Sequence, residues 1–271
     1  MDIKLIAIDI DGTLVDDEKV LREPTKQAIA AARAKGIKVV LCTGRPISGV
    51  EKYLEELSIT GEDEYAITFN GSTVQSADGN IITNHTITYD DFVDTEALSR
   101  KLGVNFQIET TEAIYAFNRD LSPYTVYESA IVRLPIKYRT PEDIKPELTI
   151  TKSMYVSTPE KITHAKENIP SYISDKLYVV QTEPFFLEFL NKNISKGNAL
   201  KELTNKLNLK PENVMAIGDQ GNDLSMIKYA GLGVAMGNAI DDNKAAAQFV
   251  TKTNTENGVA YAINKFVNNA E

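Results

Sequence analysis

Apolar residues fall into short runs separated by stretches with helical spacing, and this alternation changes character twice along the chain. Residues 4–10 form an apolar, β-rich run. Residues 24–35 are Ala-rich, open on Pro24 and are followed by Gly36, the usual asymmetry of a helix. Residues 38–43 read as a second strand, Val50, Tyr53, Leu54 and Leu57 recur at helical spacing, and 65–69 reads as a third strand. Asp78-Gly79, between Val74 and Ile81-Ile82, predicts a hairpin turn. Short apolar strands alternating with helices predict a parallel sheet covered on both faces.

Residues 84–188 differ. Strands are expected at 113–117, 148–156, 178–182 and 185–190, with helical stretches near 90–102 and 159–168. This part of the chain also holds 8 of the 12 tyrosines. Alternation then returns: a helix over 197–207, a strand at 214–217, a helix over 222–230 closed by Gly231 as a cap, strands at 232–236 and 249–251, and a last helix to 266. The pattern predicts an α/β core of residues 1–83 and 189–271, interrupted by an inserted α+β domain of residues 84–188.

Composition narrows the possible functions. The 271 residues are 42% hydrophobic and 25% charged, the profile of a soluble globular protein, with a formal net charge of −9. An acidic surface repels phosphate backbones, so no nucleic-acid partner is expected. One cysteine excludes an intrachain disulfide. The first apolar run is broken by Asp9 and is far shorter than a span of about 20 residues, so no membrane partner or leader is expected and the cytoplasm is the expected compartment. The glycosylation tripeptides at Asn70, Asn84 and Asn193 then read as chance matches.

Asp9-Ile10-Asp11-Gly12-Thr13 follows the first strand and so sits at its carboxyl end, where open α/β sheets bind ligands. Residues two apart on a strand point the same way, so both carboxylates can face one site, and Gly12 permits a sharp turn. An acidic turn of no function would bury two charges without partners, at large cost. Gly218-Asp219-Gln220-Gly221-Asn222-Asp223 likewise follows an apolar strand and opens a helix, so Asp219 can complete an oxygen-rich site with Asp9. Such a site suits Mg²⁺ better than zinc, and His85 and His164 are the only histidines. Thr43-Gly44-Arg45 ends the second strand, where a hydroxyl and a glycine N–H can cradle a phosphate oxygen. Cys42 is read as a core residue, because a cysteine phosphatase needs arginine six positions on and Ser48 stands there. Lys196-Gly197 opens the first helix after the insert, where the lysine can neutralise a phosphate, although a lone lysine is usually a surface charge.

These four pieces, in this order, resemble the haloacid dehalogenase-like hydrolases. The position of the insert resembles the large cap of the Cof-type branch, and Asn118-Arg119-Asp120-Leu121-Ser122-Pro123-Tyr124 is similar to a cap segment of YidA-type sugar-phosphate phosphatases. The resemblance implies a Rossmann-like, doubly wound parallel sheet with an inserted α+β cap. It also implies Asp9 as nucleophile and Asp11 as acid and base. Mg²⁺ would be held by Asp9, Asp219 and the backbone carbonyl of Asp11. Ile10 N–H, Thr43, Gly44, Lys196 and Asn222 would bind the phosphoryl oxygens, Asp223 would orient Lys196 or a metal water, and Arg119 and Tyr124 would contact the rest of the substrate.

The expected partner is a small phosphorylated metabolite, with the chain a monomer or homodimer. The expected activity is Mg²⁺-dependent phosphate release, sugar phosphates being the expected substrates. A phosphomutase or phosphotransferase using the same nucleophile, and a non-catalytic sugar-phosphate sensor, remain as alternatives; the core motifs do not separate the first of these from a phosphatase.

Overall fold

A computed structural model describes residues 2–268. The chain forms β1 (Leu5–Ile8), α1 (Glu23–Ala34), β2 (Lys38–Cys42), α2 (Glu51–Glu56), β3 (Tyr65–Thr68), β4 (Thr73–Ser76) and β5 (Ile81–Asn84). It continues through α3 (Tyr89–Leu102), β6 (Asn105–Glu109), β7 (Ile114–Ala116), α4 (Pro123–Val132), β8 (Ile136–Tyr138), β9 (Lys152–Val156), α5 (Pro159–Glu167), α6 (Ser171–Ser174), β10 (Leu177–Glu183) and β11 (Phe186–Asn191). It ends with α7 (Lys196–Lys206), β12 (Val214–Gly218), α8 (Leu224–Tyr229), β13 (Leu232–Ala235), α9 (Asp241–Ala246), β14 (Phe249–Val250) and α10 (Gly258–Ile263). Two units result: one from the chain up to Thr83 and from Ser195 onward, the other from Asn84–Ile194.

The first unit is built on an eight-stranded sheet in the order β14-β13-β12-β1-β2-β3-β4-β5. The six strands from β14 to β3 pair in parallel, and β4 returns antiparallel to β3. Successive strand residues point to opposite faces, and each face has its own cover. Ile6, Ile8, Val39, Leu41, Met215 and Ile217 pack with Ile29 of α1, Leu54 of α2 and Ile263 of α10. Leu5, Ala7, Val40, Cys42, Val214 and Ala216 pack with Leu200 and Leu203 of α7 and Met226 of α8. Burial on both faces explains why these strands read as unbroken apolar runs. The register pairs Ile8 with Leu41 and with Ile217, so the carboxyl ends of β1, β2 and β12 lie side by side.

The second unit carries a six-stranded sheet in the order β10-β11-β9-β6-β7-β8, antiparallel except for β7 with β8. Its main core holds Phe92 and Leu98 of α3, Ile162 of α5 and Ile173 of α6 against Phe106, Ile108, Tyr155, Leu187 and Phe189 of the sheet. Thr88 opens α3 with a reciprocal capping box with Asp91.

Three sequence expectations are corrected. The inserted unit extends to Ile194 rather than ending at 188, because β11 runs on to Asn191 and pairs Phe189 with both Val179 and Ser153. Four helices, not two, lie within it, α4 and α6 being the additional ones. Gly231 is not a left-handed cap: a Cβ there would stand 2.7 Å from Cα of Glu212 and 2.8 Å from the carbonyl of Pro211, so the glycine serves a close backbone approach.

Candidate active site

The loops leaving β1, β2 and β12 converge because their strands are neighbours. After β1, Asp9 keeps one more parallel-sheet bond, from its N–H to the Ile217 carbonyl at 3.0 Å. The chain then turns through Gly12 at φ +79°, a conformation natural to glycine. A Cβ on Gly12 would lie 2.5 Å from Oδ2 of Asp219, so the turn also lets the loop approach that carboxylate. Thr13, two residues past Asp11, donates to Asp219 Oδ1 at 2.8 Å.

Asp9, Asp219 and Asp223 each offer an oxygen within 4.8 Å of the others, and all three are buried. Lys196, fully buried at the start of α7, joins them: its Nζ is 2.6 Å from Asp9 Oδ1 and 2.7 Å from Asp223 Oδ1. Asp223 Oδ2 accepts the N–H groups of Asp219 (2.9 Å) and Gln220 (3.0 Å), so both its oxygens are engaged. Asp219 Oδ2 accepts from Gln220 Nε2 at 3.1 Å. Asp9 Oδ2 accepts no hydrogen bond among the described residues.

Three carboxylates around one ammonium leave a surplus of negative charge in a buried place. Burial, then the charges of Asp223 and Asp219, push the Asp9 carboxyl well above its ordinary value against the pull of Lys196. Burial, then Asp223, also raises Asp219 despite the Thr13 hydrogen bond. Burial favours loss of the Lys196 proton, but the two carboxylates outweigh it and the ammonium is held charged. The donors are all oxygen and the charge is uncompensated, so Asp9 and Asp219 fit a hard divalent cation, and Mg²⁺ by its chemistry. Asp223, saturated by Lys196 and two backbone N–H groups, is placed to hold those partners.

Asp11 stands apart from this cluster. Its side chain is 37% exposed and points to Arg45, which donates from Nε to Oδ2 (2.9 Å) and from Nη2 to Oδ1 (2.6 Å). Lys19 Nζ adds a contact to Oδ1 at 2.7 Å. Burial works to raise the Asp11 carboxyl, but Arg45 and then Lys19 overcome it and hold it below the usual range. Arg45 and Lys19 thus hold the Asp11 carboxylate, which is not part of the buried group of Asp9, Asp219 and Asp223.

Thr43 is buried just beyond β2, and its Oγ1 accepts the Arg45 N–H at 3.1 Å. Gly44 follows in the same turn. Asn222 opens toward this turn through Asn70: its Nδ2 donates to Asn70 Oδ1 at 2.9 Å. Ile10 is buried beside Asp9. Arg119 and Tyr124 lie in the inserted unit. Arg119 is exposed and makes no ion pair or hydrogen bond among the described residues, while Tyr124 stacks on Phe185 with centroids 4.3 Å apart. Cys42 is buried in the sheet, its thiol pushed up by that burial, as a core residue should be.

Four residues of this region have no role in the sequence reading: Thr13, Lys19, Arg45 and Asn70. Thr13 and Arg45 sit inside the motifs, so a signal existed; Lys19 and Asn70 carry none.

A family model described as haloacid dehalogenase-like hydrolase matches residues 6–263. A Streptococcus pyogenes protein that bears a phosphatase name is 45% identical over 270 residues, 99% of this chain and 100% of its own. A Bacillus subtilis 5-amino-6-(5-phospho-D-ribitylamino)uracil phosphatase is 34% identical, over 98% of this chain and 97% of its own. A solved haloacid dehalogenase-like hydrolase from Bacteroides thetaiotaomicron superposes with a TM-score of 0.88 at 30% identity, covering 97% of this chain and 99% of that one. With three motif loops meeting at adjacent strand ends and a family match along nearly its whole length, this chain belongs to the haloacid dehalogenase-like hydrolases.

Proposed function

We propose that the chain is a Mg²⁺-dependent phosphatase that releases phosphate from small phosphorylated metabolites of the sugar-phosphate kind in the cytoplasm, through an aspartyl-phosphate on Asp9. The observation that carries this reading is the joining of Asp9, Asp219 and Lys196 at the carboxyl ends of adjacent strands. The phosphorylated ribityl chain in the name of one relative's substrate supports the substrate class.

Asp9 Oδ2, without a hydrogen-bond donor, is the oxygen free to attack. Its bond to phosphorus forms as the bond from phosphorus to the departing alkoxide breaks, and Asp11 gives the alkoxide its proton. In the second half a water oxygen attacks the same phosphorus, Asp9 leaves as carboxylate, and Asp11 takes the water's proton. With Arg45 and Lys19 gripping it, Asp11 is ionised, the form suited to the second half. To act as acid in the first it has to leave these cations and acquire a proton. Lys196 holds Asp9 in place and, with Thr43, Gly44, Asn222 and the Ile10 N–H, supplies the donors for the phosphoryl oxygens. Bound Mg²⁺, held by Asp9, Asp219 and the Asp11 carbonyl, would neutralise charge between the phosphate and the carboxylate. The unit Asn84–Ile194 is read as a substrate lid that excludes water, with Arg119 and Tyr124 as its specificity contacts.

The test is phosphate release from a panel of sugar phosphates, nucleotides and the phosphoribitylaminouracil, with and without Mg²⁺. Mg²⁺-dependent release that Asp9→Asn abolishes is the expected result. Undiminished turnover in that variant refutes the proposal, and isomerised product in place of free phosphate replaces it with a mutase.

A further inference from the structure

Beyond β3 the chain passes through three successive residues in the left-handed region: Phe69 (φ +50°), Asn70 (φ +57°) and Gly71 (φ +99°). Two of them carry a Cβ, and side chains adopt this region only at a cost that the surroundings must offset. The surroundings here are specific. Phe69 N–H donates to the Arg45 carbonyl at 3.1 Å and Asn70 N–H to the Thr43 carbonyl at 2.9 Å, so the loop is fastened on both sides of Gly44. Gly71 packs on the start of α7: a Cβ there would overlap the Ser195 carbonyl and stand 3.1 Å from the Lys196 nitrogen.

Asn70 is 7% exposed. Its Oδ1 accepts from Asn222 Nδ2 at 2.9 Å, across 152 residues of sequence, and its amide lies 3.2 Å from where a Gly44 Cβ would be. One strained loop therefore touches Thr43-Gly44, the start of α7 at Lys196, and Asn222, the three segments to which the phosphatase reading assigns most of the phosphoryl contacts.

We infer that Asn70 is a positioning residue for phosphate binding, its side-chain oxygen aiming the amide of Asn222 at the phosphoryl group beside Gly44. The residue type meets both demands at once. Glycine tolerates this backbone but offers no acceptor; aspartate offers an acceptor but sets a negative charge beside a phosphate; asparagine accepts without charge and is among the few side chains that visit this region readily.

The inference rests on the phosphatase reading, and its test separates the two. Asn70→Gly removes the amide while suiting the backbone, so the variant folds. Inorganic phosphate affinity by calorimetry, with kcat and KM on p-nitrophenyl phosphate, is measured in the wild type, Asn70→Gly, Asn222→Ala and the double variant, all with Mg²⁺. Asn70→Gly raises KM and the phosphate Kd about tenfold, the loss expected of one buried hydrogen-bond partner, while the variant stays folded at the assay temperature by circular dichroism. The double variant binds phosphate no worse than Asn222→Ala, because the side chain acts through Asn222. Unchanged affinity in Asn70→Gly, or losses that multiply in the double variant, overturns the assignment alone. A wild type that neither cleaves the ester nor binds phosphate overturns the phosphatase reading and this assignment with it.

Discussion

The ammonium of Lys196 lies 2.6 Å from Oδ1 of Asp9, a contact made across 187 residues of sequence and the whole inserted unit. It also lies 2.7 Å from Asp223, so one cation holds two loops of the site together. Removing a single partner from a buried ion pair leaves uncompensated charge and costs about 3–5 kcal/mol. Lys196→Met preserves the length of the side chain and strips the charge. Urea unfolding should show a loss of that size together with abolished phosphate release. A loss under about 1 kcal/mol would mean that the two carboxylates do not depend on this ammonium.

Thr13 holds Asp219 Oδ1 at 2.8 Å while making no contact that the chemistry itself requires. Partners that orient a metal-binding carboxylate are worth about 10–100-fold in metal affinity. Thr13→Val is expected to raise the Mg²⁺ concentration at half-maximal activity by that factor, and to weaken Mg²⁺-induced thermal stabilisation in parallel. Equal Mg²⁺ dependence in variant and wild type would remove Asp219 from the proposed metal site.

Gly12 and Gly36 share the same φ, +79°, but not the same surroundings. A Cβ on Gly36 meets nothing within 4 Å, whereas one on Gly12 lies 2.5 Å from Asp219 Oδ2. Gly36→Ala should cost about 1 kcal/mol of stability from the backbone alone and leave phosphate release intact. Gly12→Ala carries the same backbone cost and also displaces Asp219, so hydrolysis should fall by at least about tenfold even at saturating Mg²⁺. Parallel behaviour of the two variants in both assays would show that the approach to Asp219 is unimportant.

The core is legible in the sequence because each site loop follows a strand buried on both faces: residues 5–8, 39–42 and 214–217 are apolar runs that end just before Asp9, Thr43 and Gly218-Asp219. What the chain does not announce is pairing at long range. Lys196 alone reads as a surface charge; only folding encloses it between Asp9 and Asp223. Asn70 matches a glycosylation tripeptide, and nothing local connects it to Asn222. In the inserted unit, α4 is hidden by Tyr124, Thr125, Val126 and Tyr127, whose bulk and branching favour strands. Its helical signals are Ser122, whose Oγ accepts the Tyr124 N–H at 3.2 Å, and Pro123 in the first turn. β6 alternates Phe106 and Ile108 with Asn105, Gln107 and Glu109, which resembles a strand with a solvated polar face, yet Gln107 and Glu109 are fully buried.

That buried polar face makes the stability of the inserted unit depend on pH. Lys152 of β9 is enclosed by Glu188 of β11 at 3.0 Å, Glu109 of β6 at 3.4 Å and Glu128 of α4 at 3.6 Å. Thr182 of β10 donates to Glu188 at 2.9 Å, but neither oxygen of Glu109 has a hydrogen-bond partner. One ammonium cannot balance three carboxylates. Burial, and then Glu128 and Glu188 against the opposing pull of Lys152, push Glu109 from its ordinary value of 4.5 up to about 8, and Glu128 is raised as well. A carboxyl whose folded value is raised binds its proton more tightly in the native state. Its contribution is fully present below pH 4.5 and is lost as pH climbs through about 8, so the unit should unfold more easily at pH 8.5 than at pH 6. The chain has no tryptophan and 8 of its 12 tyrosines lie between residues 84 and 188, so tyrosine fluorescence in urea reports mainly on this unit. Glu109→Gln replaces the carboxyl with a neutral group of the same shape. It should flatten the pH dependence and raise the urea midpoint at pH 8.5 above that of the wild type; an unchanged slope in the variant would place the native proton elsewhere.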